Sequence, residues 1–372
     1  MTTTSNQDTT SAYNAEALYA RLRDHFGARA RSDESLARHG AFGVGGPAEM
    51  WVTVTSEAEL TQVVTLAHTQ GCPLMLVGNG SNVLYADAGA RGIVVRMADA
   101  DWRIEPLDAG DAGDEQRVRL TAGAGVSLPK LINQLAAQGW AGLEWGAGVP
   151  GTVGGAVVSN AGAHGACTAD TLESVRVLFA PQEPRAEAGT REPTGEKRAI
   201  ASRVAQSRQA EMRTLPTDEL DLTYRHSRFR AARRVIFDDD GRPTAAPRMP
   251  IEPTEMITGA TFLLRHDDPA RIQQRVADYK RHRKETQPPQ PSAGSVFKNP
   301  PGDFSGRLIE AVGLKGTQIG RAQISPRHAN FIVNLGGASA ADVVALVALA
   351  RRTVRQQFDV ELELEVELRG DW

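Results

Sequence analysis

A chain of 372 residues is longer than one hydrophobic core usually fills, so two or three domains are expected, with a ligand held between them. At 41% hydrophobic and 23% charged residues the composition is that of a soluble globular protein, and a net charge of −3 argues against general attraction to nucleic acid or an anionic membrane. Cys72 and Cys167 stand far apart with no CxxC or Cys/His cluster, which argues against a disulfide framework or a structural metal site and for a reduced, cytoplasmic setting.

Residues 1–14 are rich in Thr, Ser, Asn and Gln and lack the basic and apolar regions of a secretory signal, so they read as a frayed tail, with a leading helix completing segment 1–34. No stretch approaches the roughly 18 uninterrupted apolar residues of a membrane-spanning helix. Alternate residues Met50, Val52 and Val54 are apolar and predict a half-buried strand over 48–54. Ser56 and Glu59 then form a capping-box pattern, Leu60, Val63, Val64 and Ala67 fall on one helical face, and Gly71 closes the helix before a buried strand at 74–77. A further strand at 93–97 completes a small α/β lobe, residues 35–97, containing a βαβ unit.

After Asp99 the chain turns loop-like, then offers a strand at 118–122 and a helix opened by Ser127 with Leu128, Leu131, Ile132 and Leu135 as its stripe. This begins a second lobe, residues 98–265, with strands at 175–179 and 259–264. The Pro- and Arg-containing excursion 181–211 reads as a surface insertion. A basic helix at 271–284 with Ile272, Val276 and Tyr279 on one side leads to a Pro-rich QPPQP and a third unit, residues 266–372. That unit holds the loop SAGSVFKNP, a strand at 330–334, a helix with a Ser339/Asp342 capping box, and a closing run at 360–368 whose aliphatic and glutamate residues alternate as in a strand.

Two segments are rich in glycine. In VGNGSN, Gly78 and Gly80 permit backbone angles closed to other residues, and Asn79, Ser81 and Asn82 add polar side chains directly after a strand; the choice is between an anion nest and a polar turn. The run 150–162, PGTVGGAVVSNAG, carries too many glycines for a stable interior helix or strand, which points to close approach of a ligand or backbone. A GxGxxG match at 146–151 lacks the flanking strand and amphipathic helix of a dinucleotide fingerprint, and no Gly-Lys-Ser/Thr phosphate loop occurs.

FGVGGPAE, VGNGSNVL, GLEWGAGVPGTVGGAVVSNAGAHG, LTYRHSRF and SAGSVFKNP, in this order between residues 42 and 300, resemble the signatures of the UDP-N-acetylenolpyruvoylglucosamine reductases. The resemblance covers most of the chain. It implies an α+β fold with a two-lobe FAD-binding unit of the vanillyl-alcohol-oxidase type plus a C-terminal α/β substrate-binding domain, non-covalent FAD, NADPH as hydride donor, and a UDP-sugar enolpyruvyl ether as substrate for a monomeric enzyme. FAD contacts would come from Gly78, Asn79, Gly80, Ser81 and Asn82, and from Pro150, Gly151, Thr152, Gly154, Gly155, Ala156, Asn160 and Gly162.

The same resemblance implies that Arg225 binds the enolpyruvyl carboxylate, that Ser295 is the proton donor and that Glu365 stabilises the developing negative charge, with Tyr224, Lys298 and Asn299 as further substrate contacts. By pattern alone, YRHSRF is a charged surface turn, Ser295 a loop cap, and Glu361, Glu363 and Glu367 the solvated face of a strand. The segment ELEVE at 363–367 departs from the family's EPEVR: Leu364 stands for the usual proline and Glu367 for the usual arginine. The interval between Phe229 and Ser295 looks like the branch of the family without a tyrosine-bearing loop over the substrate. The rivals are an FAD-dependent oxidase of the same superfamily and a non-catalytic nucleotide-binding protein.

Overall fold

The computed structural model describes residues 13–107, 117–181, 209–230, 236–237, 243–244 and 251–372. Most of the N-terminal tail and of the excursion 181–211 therefore lies outside the described residues.

The leading helix, Ala15–Phe26, is capped by Asn14 and buries Leu18, Leu22 and Phe26 against the first sheet. That sheet runs in the order Ala30–Ser35, Pro47–Val54, Ala90–Met97, Leu74–Val77, Ile251–Glu252; the first pair is antiparallel and the rest parallel. The helix Glu57–Thr69 connects two of the parallel strands, and Leu60, Val63, Val64 and Ala67 are its buried face, as their spacing requires. Only half of the expected capping box forms. Ser56 accepts the Glu59 N–H, but the Glu59 carboxylate accepts the Thr55 N–H at 2.7 Å and pairs with Arg29 instead of closing on Ser56. A charged partner makes the stronger bond.

A second, antiparallel sheet has the order Glu211–Pro216, Leu172–Phe179, Glu255–His266, Arg117–Gly123, Trp102–Pro106, with Trp140–Ala141 pairing one end of the long strand. Trp102–Pro106 lies in the stretch read as loop, because an exposed edge strand carries little hydrophobic pattern. The helix Leu128–Ala137 buries its predicted stripe. The six-residue helix Val153–Val158 overturns the expectation that glycine excludes helix here. Thr152 caps it by accepting the Gly155 N–H, and the missing side chain of Gly154 lets the helix lie directly on Ala124, where a Cβ would come within 2.8 Å of the alanine Cβ.

The basic helix Pro269–Thr286, capped by Asp268, crosses to the C-terminal unit with Ile272 and Val276 buried. There, the strands Gln318–Ile319, Ala322–Ile324 and Ile332–Asn334 form a small sheet packed on the helices Ser305–Ala311 and Ala340–Phe358 around a separate core. The Ser339/Asp342 capping box is present in full. Asp87, from beside the first sheet, accepts the N–H groups of Ala340 and Ala341 at 2.7 and 3.0 Å and ties the two units together.

The closing run is not one long strand. Only Glu367–Arg369 pairs, in parallel, with Val83–Tyr85, while residues 360–366 follow the SAGSVFKNP loop through single contacts such as Lys298 N–H to the Glu363 carbonyl at 2.8 Å. Glu361 and Glu363 are exposed as expected. Glu367 is not: its side chain is 21% exposed and bound to Arg369 at 2.7 Å. No helix among the described residues is long and apolar enough to cross a membrane.

Candidate active site

A cavity of about 480 Å³ opens where the two lobes meet the C-terminal unit. All five residues 78–82 line it, as do Pro150, Gly151, Thr152, Gly154, Gly155 and Ala156, followed by Gly162. The strand Leu74–Val77 delivers the first run to the wall, and the turn before the capped helix Val153–Val158 delivers the second. The two runs touch: a Cβ on Gly78 would lie 3.0 Å from Thr152 Oγ1, and one on Gly151 3.0 Å from Ser81 Oγ. Gly80 has φ +60°, and a Cβ there would meet the His39 carbonyl oxygen at 2.1 Å. The N–H groups of Asn79, Gly80 and Ser81 have no protein acceptor among the described residues. A glycine wall with unspent amides suits a pyrophosphate, so the residues fit FAD.

Asn160 is the exception among the expected cofactor contacts. It is 5% exposed, does not line the cavity, and spends both ends of its amide internally: Nδ2 donates to the Thr223 carbonyl at 2.9 Å and Oδ1 accepts the Ala169 N–H at 3.1 Å. It holds the turn that presents Arg225.

Arg225, Ser295 and Glu365, from segments far apart in sequence, all line the cavity. Arg225 sits at φ +54° at the tip of a tight turn closed by reciprocal bonds between Thr223 and His226. Its Nη2 donates to the Gly162 carbonyl at 2.7 Å, its Nε is 2.8 Å from Glu365 Oε1, and its guanidinium lies over the Tyr224 ring. Burial pushes the Glu365 carboxyl above the ordinary carboxylate range, although Arg225, Arg230 and Lys298 pull the other way. Glu367, beside it, goes down: burial would raise it, but Arg369 and Arg230 outweigh burial.

The Ser295 loop is fixed by Asn330, which is 4% exposed. Its Oδ1 accepts the Phe297 N–H at 2.9 Å, its Nδ2 donates to the Phe297 carbonyl at 2.8 Å, and its own carbonyl accepts the Val296 N–H at 2.9 Å. The Val296 carbonyl in turn accepts the Glu365 N–H at 2.8 Å, which sets Ser295 next to the glutamate. The Ser295 hydroxyl has no hydrogen-bond partner among the described residues.

Tyr224, Lys298 and Asn299 do not line the cavity. Tyr224 is 54% exposed at its edge, Lys298 Nζ binds Glu363 at 2.5 Å, and Asn299 Oδ1 accepts the Ser305 N–H that opens a helix. Sequence reasoning missed Asn330, Arg230 and Arg283. The last lines the cavity from the basic helix with no acceptor for its guanidinium among the described residues, and burial pulls its pKa down. A basic helix in the sequence was a signal for Arg283; an Asn at the start of an apolar run is a weak one for Asn330.

Residues 287–369 match the model of the UDP-N-acetylenolpyruvoylglucosamine reductase C-terminal domain, and residues 48–182 match an FAD binding domain. The chain is 36% identical to UDP-N-acetylenolpyruvoylglucosamine reductase 2 of Symbiobacterium thermophilum over 96% of both chains, and 37% identical to the reductase of Chloroflexus aggregans over 90% of this chain and 96% of that one. The crystal structure of UDP-N-acetylenolpyruvylglucosamine reductase from Thermus caldophilus superposes with a TM-score of 0.61 at 33% identity, covering 90% of this chain and 97% of the other.

Proposed function

The chain belongs to the UDP-N-acetylenolpyruvoylglucosamine reductase family and contains its FAD-binding domain, and from that premise we propose that it uses NADPH to reduce the enolpyruvyl ether of UDP-N-acetylenolpyruvoylglucosamine to the lactyl ether of UDP-N-acetylmuramate, a step of peptidoglycan precursor synthesis. The observation that carries the reading is the convergence of Arg225, Ser295 and Glu365 on the glycine-walled cavity. Bound FAD would supply the two-electron chemistry, taking hydride from NADPH and giving it to the terminal carbon of the enolpyruvyl group.

The protein's own residues handle the charge and the proton. Arg225 takes the substrate carboxylate with its planar fork, and Glu365, in the protonated form that burial favours, donates a hydrogen bond to the same group as negative charge builds there. Ser295 Oγ–H delivers the proton to the carbon next to the ether oxygen, and solvent restores the serine. An unpaired hydroxyl is free to turn toward that carbon. Arg283, without a protein acceptor, meets a phosphate of the substrate, and Lys298 acts through its field on Glu365.

The test separates the two halves of the cycle. Ser295→Ala should leave bleaching of the yellow protein by NADPH nearly intact and slow re-oxidation by the enolpyruvyl substrate by roughly 10²- to 10⁴-fold, read by stopped-flow absorbance. Normal turnover in this variant would remove Ser295 as the proton donor.

A further inference from the structure

Arg230 is a charged side chain beside the reacting groups to which the proposed chemistry gives no task. It follows the Arg225 turn, and its guanidinium reaches two carbonyls from distant parts of the chain. Nη1 donates to the Arg225 carbonyl at 3.1 Å, and Nη2 donates to the Glu365 carbonyl. The Glu365 carbonyl also accepts from Asn82 Nδ2 at 2.9 Å, and the Glu365 N–H donates to Val296. The Glu365 peptide is thus tied to the flavin-side glycine run, to the Ser295 loop and, through Arg230, to the Arg225 turn.

The three ties differ in what they bring. Asn82 and Val296 are neutral and fix Glu365 alone, whereas Arg230 holds the backbones of both Arg225 and Glu365 in one planar fork and adds a positive charge. The Arg225 carbonyl is available to it because Arg225 adopts φ +54°, a conformation most side chains avoid, with Thr223 and His226 bonded to each other behind it.

We infer that Arg230 is a positioning residue: by bridging the Arg225 and Glu365 carbonyls it sets the separation of the two side chains. The inference rests on the roles proposed above for those two residues. The charged groups acting on Glu365 are Arg225 and Arg230 from the turn at 223–230 of the second lobe and Lys298 from the Ser295 loop, with the Glu367–Arg369 pair following in its own run. Removing Arg230 leaves Arg225 and Lys298 to oppose burial, so the carboxyl titrates at higher pH.

Two variants separate geometry from charge. Arg230→Met keeps the length without donors or charge; Arg230→Lys keeps the charge but cannot hold two carbonyls in one plane. In Arg230→Met, re-oxidation of the NADPH-reduced protein by the enolpyruvyl substrate should slow by roughly 10²-fold, because small misplacements of reacting groups cost that much. Flavin reduction by NADPH and the thermal midpoint should stay close to those of the parent, and the alkaline limb of the re-oxidation rate should move to higher pH. In Arg230→Lys the limb should return toward the parent position while the rate stays low.

Parent-like re-oxidation with an unmoved limb in Arg230→Met overturns the inference, and so does an equal fall of both half-reactions, which would mark a purely structural residue. If Arg230→Met does not retain FAD, a parent-like re-oxidation rate in Arg230→Lys overturns it instead. Glu365→Gln is the control. A slow Glu365→Gln beside a parent-like Arg230→Met removes only the positioning role, whereas a normal Glu365→Gln removes the underlying reading as well.

Discussion

Glu365 shows how much of the chemistry rests on the surroundings of one side chain. It shares its run with Glu361 and Glu363, whose side chains are 66% and 71% exposed, while its own is 17% exposed and titrates above its ordinary value. If its protonated form serves the reaction, re-oxidation by the enolpyruvyl substrate declines as pH rises through that elevated pKa. Glu365→Gln should remove this alkaline limb and slow the step by roughly 10²- to 10³-fold at neutral pH. Stability carries the same sign. A carboxyl whose folded pKa is raised contributes stability that is fully present below the unfolded pKa and lost as pH rises through the folded one, so the thermal midpoint of Glu365→Gln relative to the parent should improve from pH 4 to pH 8. An unchanged difference across that range would show that the carboxyl is not raised. Alternation in the sequence could not separate Glu365 from its neighbours. Glu367 was the misreading: its acidic neighbours made it look solvated, and only the fold reveals Arg369 and Arg230 around it.

At the scale of elements, periodicity was a good guide wherever one face is buried and the other wet. The helices Glu57–Thr69 and Leu128–Ala137 bury the residues their spacing marks. It failed where another force decides. The helix Val153–Val158 exists despite its propensity, because Thr152 caps it and its two glycines serve different purposes. Gly154 faces Ala124, while Gly155 is exposed toward the cavity, with only an ordinary 3.5 Å contact waiting for a Cβ at Thr152 Oγ1. The two alanine variants should therefore diverge. Gly154→Ala overpacks the contact with Ala124 and should cost about 1–3 kcal/mol in denaturant unfolding, outweighing the gain in helix propensity. Gly155→Ala should be neutral or more stable by up to about 1 kcal/mol as apoprotein, yet bind FAD more weakly, because its methyl group enters the cradle. Equal stability of the two variants would mean that neither glycine is there for packing.

For the whole molecule, the sequence motifs told which segments matter but not how they are joined. Nothing local in VGNGSN announces that Asn82 will bind the Glu365 carbonyl, 283 positions on, or that Val83–Tyr85 will pair with Glu367–Arg369, since such contacts are set by packing between distant parts of the chain. The consequence is that the cavity exists only when both lobes and the C-terminal unit are folded together. A ligand that needs all of these walls binds the native state and not the unfolded chain, so it adds RT ln(1 + [L]/Kd) to stability: about 2.7 kcal/mol at a hundredfold excess over Kd. Apoprotein titrated with FAD should therefore show a thermal midpoint that climbs with the logarithm of FAD concentration, in one cooperative transition, because the shared cavity couples the units. Two separated transitions, with only the earlier one moving, would show that a single unit holds the cofactor by itself. A midpoint indifferent to FAD would mean that the glycine walls serve some other ligand.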